Sequence, residues 1–145
     1  MTPPIATRFA RLGLAALFGT ALVASAGAAT GGKAGLAAEA DINDGLLVLA
    51  VADKIRRECD AISARFFRAN GYANELRSRA EARGYSRAEV DAYIEDDAEE
   101  AKMRQRRDAY FTARGASSLD PESLCALGRS EIAGGTPIGR LLTAK

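Results

Sequence analysis

The chain of 145 residues contains no histidine, no tryptophan, four prolines and two cysteines. Without histidine it lacks the side chain that most often acts as general base near neutral pH and as metal ligand. Ser-His-Asp and Cys-His hydrolases, C-x-x-C-H haem attachment and Cys/His zinc sites are therefore excluded. No charge of one sign dominates either: 20 Lys+Arg stand against 19 Asp+Glu, a formal net charge of +1. Nucleic-acid-binding proteins carry a clear basic excess, so no nucleic-acid partner is expected. There is no period-2 alternation and no internal repeat, and after residue 30 no apolar run is long enough to span a bilayer.

What is present begins with an address. Arg8 and Arg11 precede an apolar stretch from Leu12 to Val23, which passes into small residues. Positive head, apolar centre and Ala-x-Ala exit follow the order of a secretory signal peptide. Ala24-Ser25-Ala26 and Ala26-Gly27-Ala28 both satisfy the cleavage rule, so cleavage is expected at Ala26 or Ala28, and residues 1–28 read as signal peptide. Ala38-Glu39-Ala40 also fits, but lies far from the apolar run. Gly19, Thr20 and the Ala/Gly/Ser tail interrupt the run too early for a membrane anchor. The two arginines are not adjacent, and neither cysteine follows the apolar stretch, which leaves twin-arginine export and N-terminal lipidation without support. The expected location is the bacterial periplasm, with no transmembrane segment in the mature chain.

Removing residues 1–28 takes away Arg8 and Arg11 and leaves 18 basic against 19 acidic residues. Residues 29–40 (ATGGKAGLAAEA) are rich in Gly and Ala and read as a flexible leader. Residues 41–145 then form a single helical domain.

Within that domain Val48, Val51, Ile55, Cys59, Ile62 and Phe66 recur at helical spacing, predicting one helix over 41–69. Asp41 or Asp44 would cap its start, and Asn70-Gly71 would stop it. A shorter helix is expected from Tyr72 to Arg83, ended by Gly84. Ser86 and Glu89 then make a capping box, with Tyr85 and Val90 placed as a hydrophobic staple, so a helix begins at Arg87. The acidic run Glu95 to Glu100 followed by the basic run Lys102 to Arg107 favours a fresh start near Asp96. Whether residues 87–114 form one helix or two stays open. Asp120, with Pro121 at the first helical position and a Leu119–Leu124 staple, opens another helix, ended at Gly134-Gly135. Thr136-Pro137 caps a last short one. The predicted architecture is all-α, a small bundle of four to six helices with one disulfide, preceded by a signal peptide.

An even cysteine count in an oxidising compartment reads as a disulfide framework, and Cys59 and Cys125 allow one pairing. Redox pairs usually sit close together as C-x-x-C, and two sulfurs without histidine leave a tetrahedral metal short of ligands. Asp41-Ile42-Asn43-Asp44-Gly45 fails as a calcium loop, because glycine falls at position five and Ala52 at position twelve. The acidic cluster Glu95 to Glu100, with Asp96, Asp97, Glu99 and Glu100 in it, could hold a divalent cation or serve general acid/base chemistry, although a charge run on a helix is ordinarily a solvated face. No cofactor is expected.

Charge is also unevenly distributed. Residues 54–87 hold nine basic and four acidic residues, a net +5; residues 88–122 hold five basic and ten acidic, a net −5. Either the two segments lie side by side and neutralise each other, or they make a bipolar surface. On the second account Arg65 and Arg68 at one pole, and Asp96, Asp97, Glu99 and Glu100 at the other, orient the protein on a charged partner.

The segments DGLLVLAVADKIRRECDAISARFFRA, GYSRAEVDAYI, DAEEAKMRQRRDAYFTARG and CALGRSEIAGGTPIGRLL resemble a family of small exported bacterial proteins classed as a domain of unknown function. The resemblance covers residues 41–145 and both cysteines. Some members of that family carry a label linking them to the respiratory NADH dehydrogenase, but this chain has no G-x-G-x-x-G and only two cysteines to support flavin, nucleotide or iron–sulfur chemistry. The resemblance implies fold and address and supplies no catalytic residues. The expected function is that of a non-catalytic binding or accessory protein of an envelope or respiratory membrane complex. The alternative is a small-ligand binder or an unusual enzyme built on carboxylates and arginines, so catalysis stays open.

Overall fold

The computed structural model describes residues 32–145. The signal peptide expected over 1–28, its expected cleavage residues Ala26 and Ala28, and the first residues of the expected leader lie outside the described residues. Helices α1 (Gly32–Ala38) and α2 (Ala40–Glu58) lead into strand β1 (Ile62–Ala64) and helix α3 (Phe66–Ala82). Helices α4 (Arg87–Ile94), α5 (Asp97–Thr112), α6 (Pro121–Gly134) and α7 (Pro137–Arg140) follow, and strand β2 (Leu142–Ala144) completes the order.

The central element is α2, against which α1, α3, α5, α6 and α7 all pack. Its C-terminal half contributes Val51, Ala52 and Ile55 to the main core, where they meet Ile62, Phe111, Leu124, Ile138 and Leu142. Its N-terminal half contributes Ile42 to a second core with Leu36, Ala80, Tyr85, Val90 and Tyr93. Two small cores strung along one helix bury apolar surface that neither end could bury alone.

Several local readings hold. Ser86 and Glu89 form the reciprocal capping box, and both staple residues, Tyr85 and Val90, are buried in the second core. Asp96 caps α5 by accepting from the Ala98 and Glu99 N–H groups, so residues 87–114 form two helices. Asp120 accepts from the Glu122 N–H, Thr136 caps α7, and Gly135 closes α6 at φ 58°. Cys59 and Cys125 are joined in a disulfide with a Cα–Cα distance of 5.2 Å.

Other readings are corrected. The helix expected over 41–69 ends at Glu58, and Cys59 is already extended (φ −119°). Tertiary pairing overrides helical periodicity here: Arg65 N–H donates to Leu141 O and Lys145 N–H to Ala61 O, framing an antiparallel β1–β2 pair. Ile62 is thereby turned into the core, while Phe66, placed by its spacing on the buried face, is exposed. Asn70-Gly71 does not stop a helix but lies inside α3, where a Cβ on Gly71 would meet nothing within 4 Å.

The flexible leader gives way from Gly32 onward to helix α1, whose Leu36 is buried. Its composition concealed two favourable contacts. Gly35 lets the backbone come close to the Tyr85 ring, and Asn43 Nδ2 donates to the Leu36 and Glu39 carbonyls at 2.8 Å each. The N-cap of α2 is Glu39, with no side-chain cap; Asp41 instead takes a forked pair of hydrogen bonds from Arg83, and Asp44 pairs with Arg106. Leu119 is 92% exposed, so it makes no staple with the buried Leu124.

Candidate docking surface

Leu46 to Ala50 are apolar on every side of α2, and one core cannot cover a helix all round. These five residues remain half-buried. Beside them lies a run of depressions that share lining residues of α2. Its wide end, about 900 Å³, has Leu49, Ala50, Ile62, Ala64 and Phe66 in its lining, with Asp53, Arg56 and Lys145 at the rim. Leu49 is shared with an apolar pocket of about 300 Å³ that includes Leu46, Leu76 and Ile94. Ala50, Leu46 and Ile94 extend the same surface to Met103. Ile94, 46% exposed, stands on its edge. These adjoining depressions share apolar residues of α2, and the widest is mixed in character, with Asp53, Arg56, Ser63, Asn70 and Lys145 beside the apolar ones; apolar surface of this kind on α2 is a candidate binding surface.

The residues singled out for a bipolar surface are not brought together. Arg65 is the N-cap residue of α3 and donates from Nε to the Leu142 carbonyl at 2.9 Å. Arg68 is exposed one turn into the helix and has no ion-pair partner among the described residues. At the other pole Asp96 caps α5 and pairs with Lys33 of α1, and Asp97 is exposed. Glu99 pairs with Lys102 at 2.8 Å, and Glu100 pairs with Arg104. The Lys33 ammonium and the α5 backbone N–H groups together hold the Asp96 carboxyl below the usual aspartate value. Between the basic and acidic segments, Arg77–Asp91 at 3.0 Å is the one ion pair among the described residues. Mutual neutralisation is therefore slight. The acidic residues instead find partners within α5 or on α1, and no group of three Asp, Glu or Cys side chains converges on one point among the described residues.

A second polar cluster was not read from the sequence. Glu131 is 4% exposed on α6. It accepts from the Tyr110 hydroxyl at 2.5 Å and from the Thr136 hydroxyl, and lies 3.5 Å from Arg114 Nε. The Arg114 guanidinium carbon sits 3.6 Å from the centre of the Tyr110 ring, a cation–π arrangement. Burial, reinforced by the bond to Glu131, pushes the Tyr110 phenol up to about 12. The signal was available: Leu124, Leu127, Gly128 and Glu131 occupy one face of α6, so the carboxylate stands where an apolar residue belongs. A cavity of about 680 Å³ beside it includes Arg114, Ser123, Ser130 and Thr136. Its carboxylate already has two hydroxyls and a guanidinium as neighbours, and this ties α5, α6 and α7 together.

Among the described residues no helix is long and apolar enough to cross a membrane. A family model described as "Family of unknown function (DUF5333)" matches residues 34–143. Its start falls inside α1, in accord with that helix being part of the fold. No curated protein and no solved structure matches the chain.

Proposed function

We propose a non-catalytic binding role for this chain, which belongs to the DUF5333 family of unknown function. In this reading it is an exported protein of the bacterial periplasm, accessory to a membrane-embedded envelope or respiratory complex. The observation that carries it is the apolar surface on α2, with Leu46, Leu49, Ala50 and Ile94 left half-covered by their own fold. An amphipathic segment of the partner, laid on that surface, would cover those residues by the helix-in-groove mode. Export is supported by the pattern of residues 1–28 and by the Cys59–Cys125 bridge, which an oxidising compartment maintains.

The test is affinity purification of the tagged protein from its native envelope after mild crosslinking, comparing wild type with Ile94→Glu. Ile94 is exposed enough for the charge to be tolerated by the fold. A membrane-complex subunit should be recovered with wild type and lost with the variant. Recovery of the bare protein alone from wild-type cells overturns the reading.

A second reading, a small-ligand binder or an enzyme using carboxylate and arginine, has its support in Glu131 and Arg114 beside the second cavity. The engagement of Glu131 by Tyr110 and Thr136 counts against it, because those acceptor positions are not available to a ligand.

A further inference from the structure

Phe66 and Phe67 open helix α3 and are 66% and 87% exposed. Their ring centroids lie 5.7 Å apart with planes inclined by 76°, so the two side chains make one apolar knob. Such a pair in water leaves a large aromatic surface uncovered. The knob is held firmly at its base. Arg65 donates its backbone N–H to Leu141 O and its Nε to Leu142 O, which fastens the start of α3 to strand β2. Arg65 and Arg68 bracket the rings, and Arg68 has no acidic partner among the described residues. Beyond Phe67 the outward strip of α3 continues through Gly71, Asn74 and Ser78, all exposed and uncharged. Of the nine basic residues in segment 54–87, seven are engaged in ion pairs, and Arg65 and Arg68 are the two left without one among the described residues.

We infer that this knob is a docking point for an anionic lipid surface, with Phe66 and Phe67 entering the headgroup boundary and Arg65 and Arg68 pairing with lipid phosphates. Aromatic rings beside arginines suit that boundary, which is apolar on one side and negatively charged on the other. Arginine binds phosphate in forked geometry, and each basic residue near an anionic leaflet adds to the attraction. The contact is peripheral: it buries two side chains and threads no helix through the bilayer. It goes beyond the α2 surface: Phe66 also borders the wide end of that surface, but Arg65, Phe67 and Arg68 are absent from its lining.

The experiment is co-sedimentation of the protein, isolated from its native cells, with phosphatidylglycerol/phosphatidylethanolamine vesicles and with phosphatidylcholine vesicles. Wild type should bind the anionic vesicles at least tenfold more tightly than the neutral ones, and added salt should weaken the binding. The double variant Phe67→Ser, Arg68→Ser should lose tenfold or more while keeping its circular dichroism spectrum and melting temperature, because both side chains are exposed. Ile94→Glu should leave vesicle binding unchanged, which separates failure of this inference from failure of the α2 surface. Equal binding by wild type and the double variant, or no preference for anionic vesicles, overturns it. Loss of a crosslinked protein partner by the double variant, with vesicles ignored by wild type, likewise overturns it and assigns the knob to a protein.

Discussion

The Tyr110 hydroxyl donates to the Glu131 carboxylate at 2.5 Å, joining the end of α5 to the last turn of α6 where both are partly shielded from water. Glu131 then reaches Thr136, the residue that caps α7, so one buried carboxylate holds three helices in register.

This bond contributes to the alkaline limit of the fold, together with Tyr72, Tyr85 and Tyr93, whose phenols burial also raises. The Tyr110 phenol has an ordinary value of 10.0 and is raised to about 12 in the folded chain. Folding therefore favours the protonated phenol. Its contribution is complete below the unfolded value and disappears as pH rises through the folded one. Spectrophotometric titration should show late phenolate ionisation, smaller by one tyrosine in Tyr110→Phe, coinciding with a fall in the urea midpoint. A Tyr110 that ionises at its ordinary value would contradict this.

In acid the signs reverse. Glu89 is lowered by the backbone and side-chain hydrogen bonds to Ser86, Asp96 by the Lys33 ammonium, and Asp41 by the Arg83 guanidinium. Each contributes stability that is present above its unfolded value, 4.5 for Glu89 and 3.8 for Asp96 and Asp41, and that is lost as pH falls through the folded value. The urea midpoint of wild type should fall through this range. Asp96→Ala should start lower at neutral pH and show a shallower acid decline.

Two glycines should respond in opposite ways to alanine. A Cβ on Gly128 would sit 2.5 Å from Ile62 Cδ1 and 2.6 Å from Ile55 Cγ2, inside the main core. Gly128→Ala should destabilise by about 1–3 kcal/mol through overpacking. Gly71 lies in the interior of α3 with open space around it, so Gly71→Ala should stabilise by about 0.5–1 kcal/mol. Paired denaturant curves check both, and a destabilising Gly71→Ala would mean that α3 is interrupted there.

The Cys59–Cys125 bridge spans a sequence separation of 66. On the chain-entropy account, closing a loop of this size is worth about 4 kcal/mol. The Cys59→Ala, Cys125→Ala double variant should lose that much in chemical denaturation, and alkylation of unreduced wild type should add no mass.

Legibility in the sequence followed the range of the interactions. Ser86, Glu89, Tyr85 and Val90 were readable because capping needs only neighbours in the chain, and the same holds for Asp96 and Asp120. Ile62 is buried as its spacing predicts but in a strand rather than a helix, and Phe66 is turned outward, because the strand partners of residues 61–65, Leu141 to Lys145, lie some eighty residues away. A three-residue strand has no room to show alternation. Leu119 met the pattern for a staple, yet staple geometry also requires the preceding loop to fold back, which it does not. Leader residues 32–40 looked unstructured by composition, while their order comes from Tyr85 and Asn43 elsewhere in the chain. For the candidate surface, the half-covered residues of α2 were visible as an apolar run. The knob at Phe66 emerged only once β1 had displaced it from the core.

The seating of Leu36 constrains how such a protein can be matured. A protease acting after Ala40 would extract a wedge: the Asn43 amide would lose its carbonyl acceptors, and Tyr85 its Glu39 neighbour at 3.2 Å. The vacancy would open among Ile42, Val90 and Tyr93, one of the two hydrophobic centres. Trimming upstream of Gly32 would spare that arrangement, so under the export proposal a chain cut after Ala40 should be measurably less stable than one beginning before Gly32.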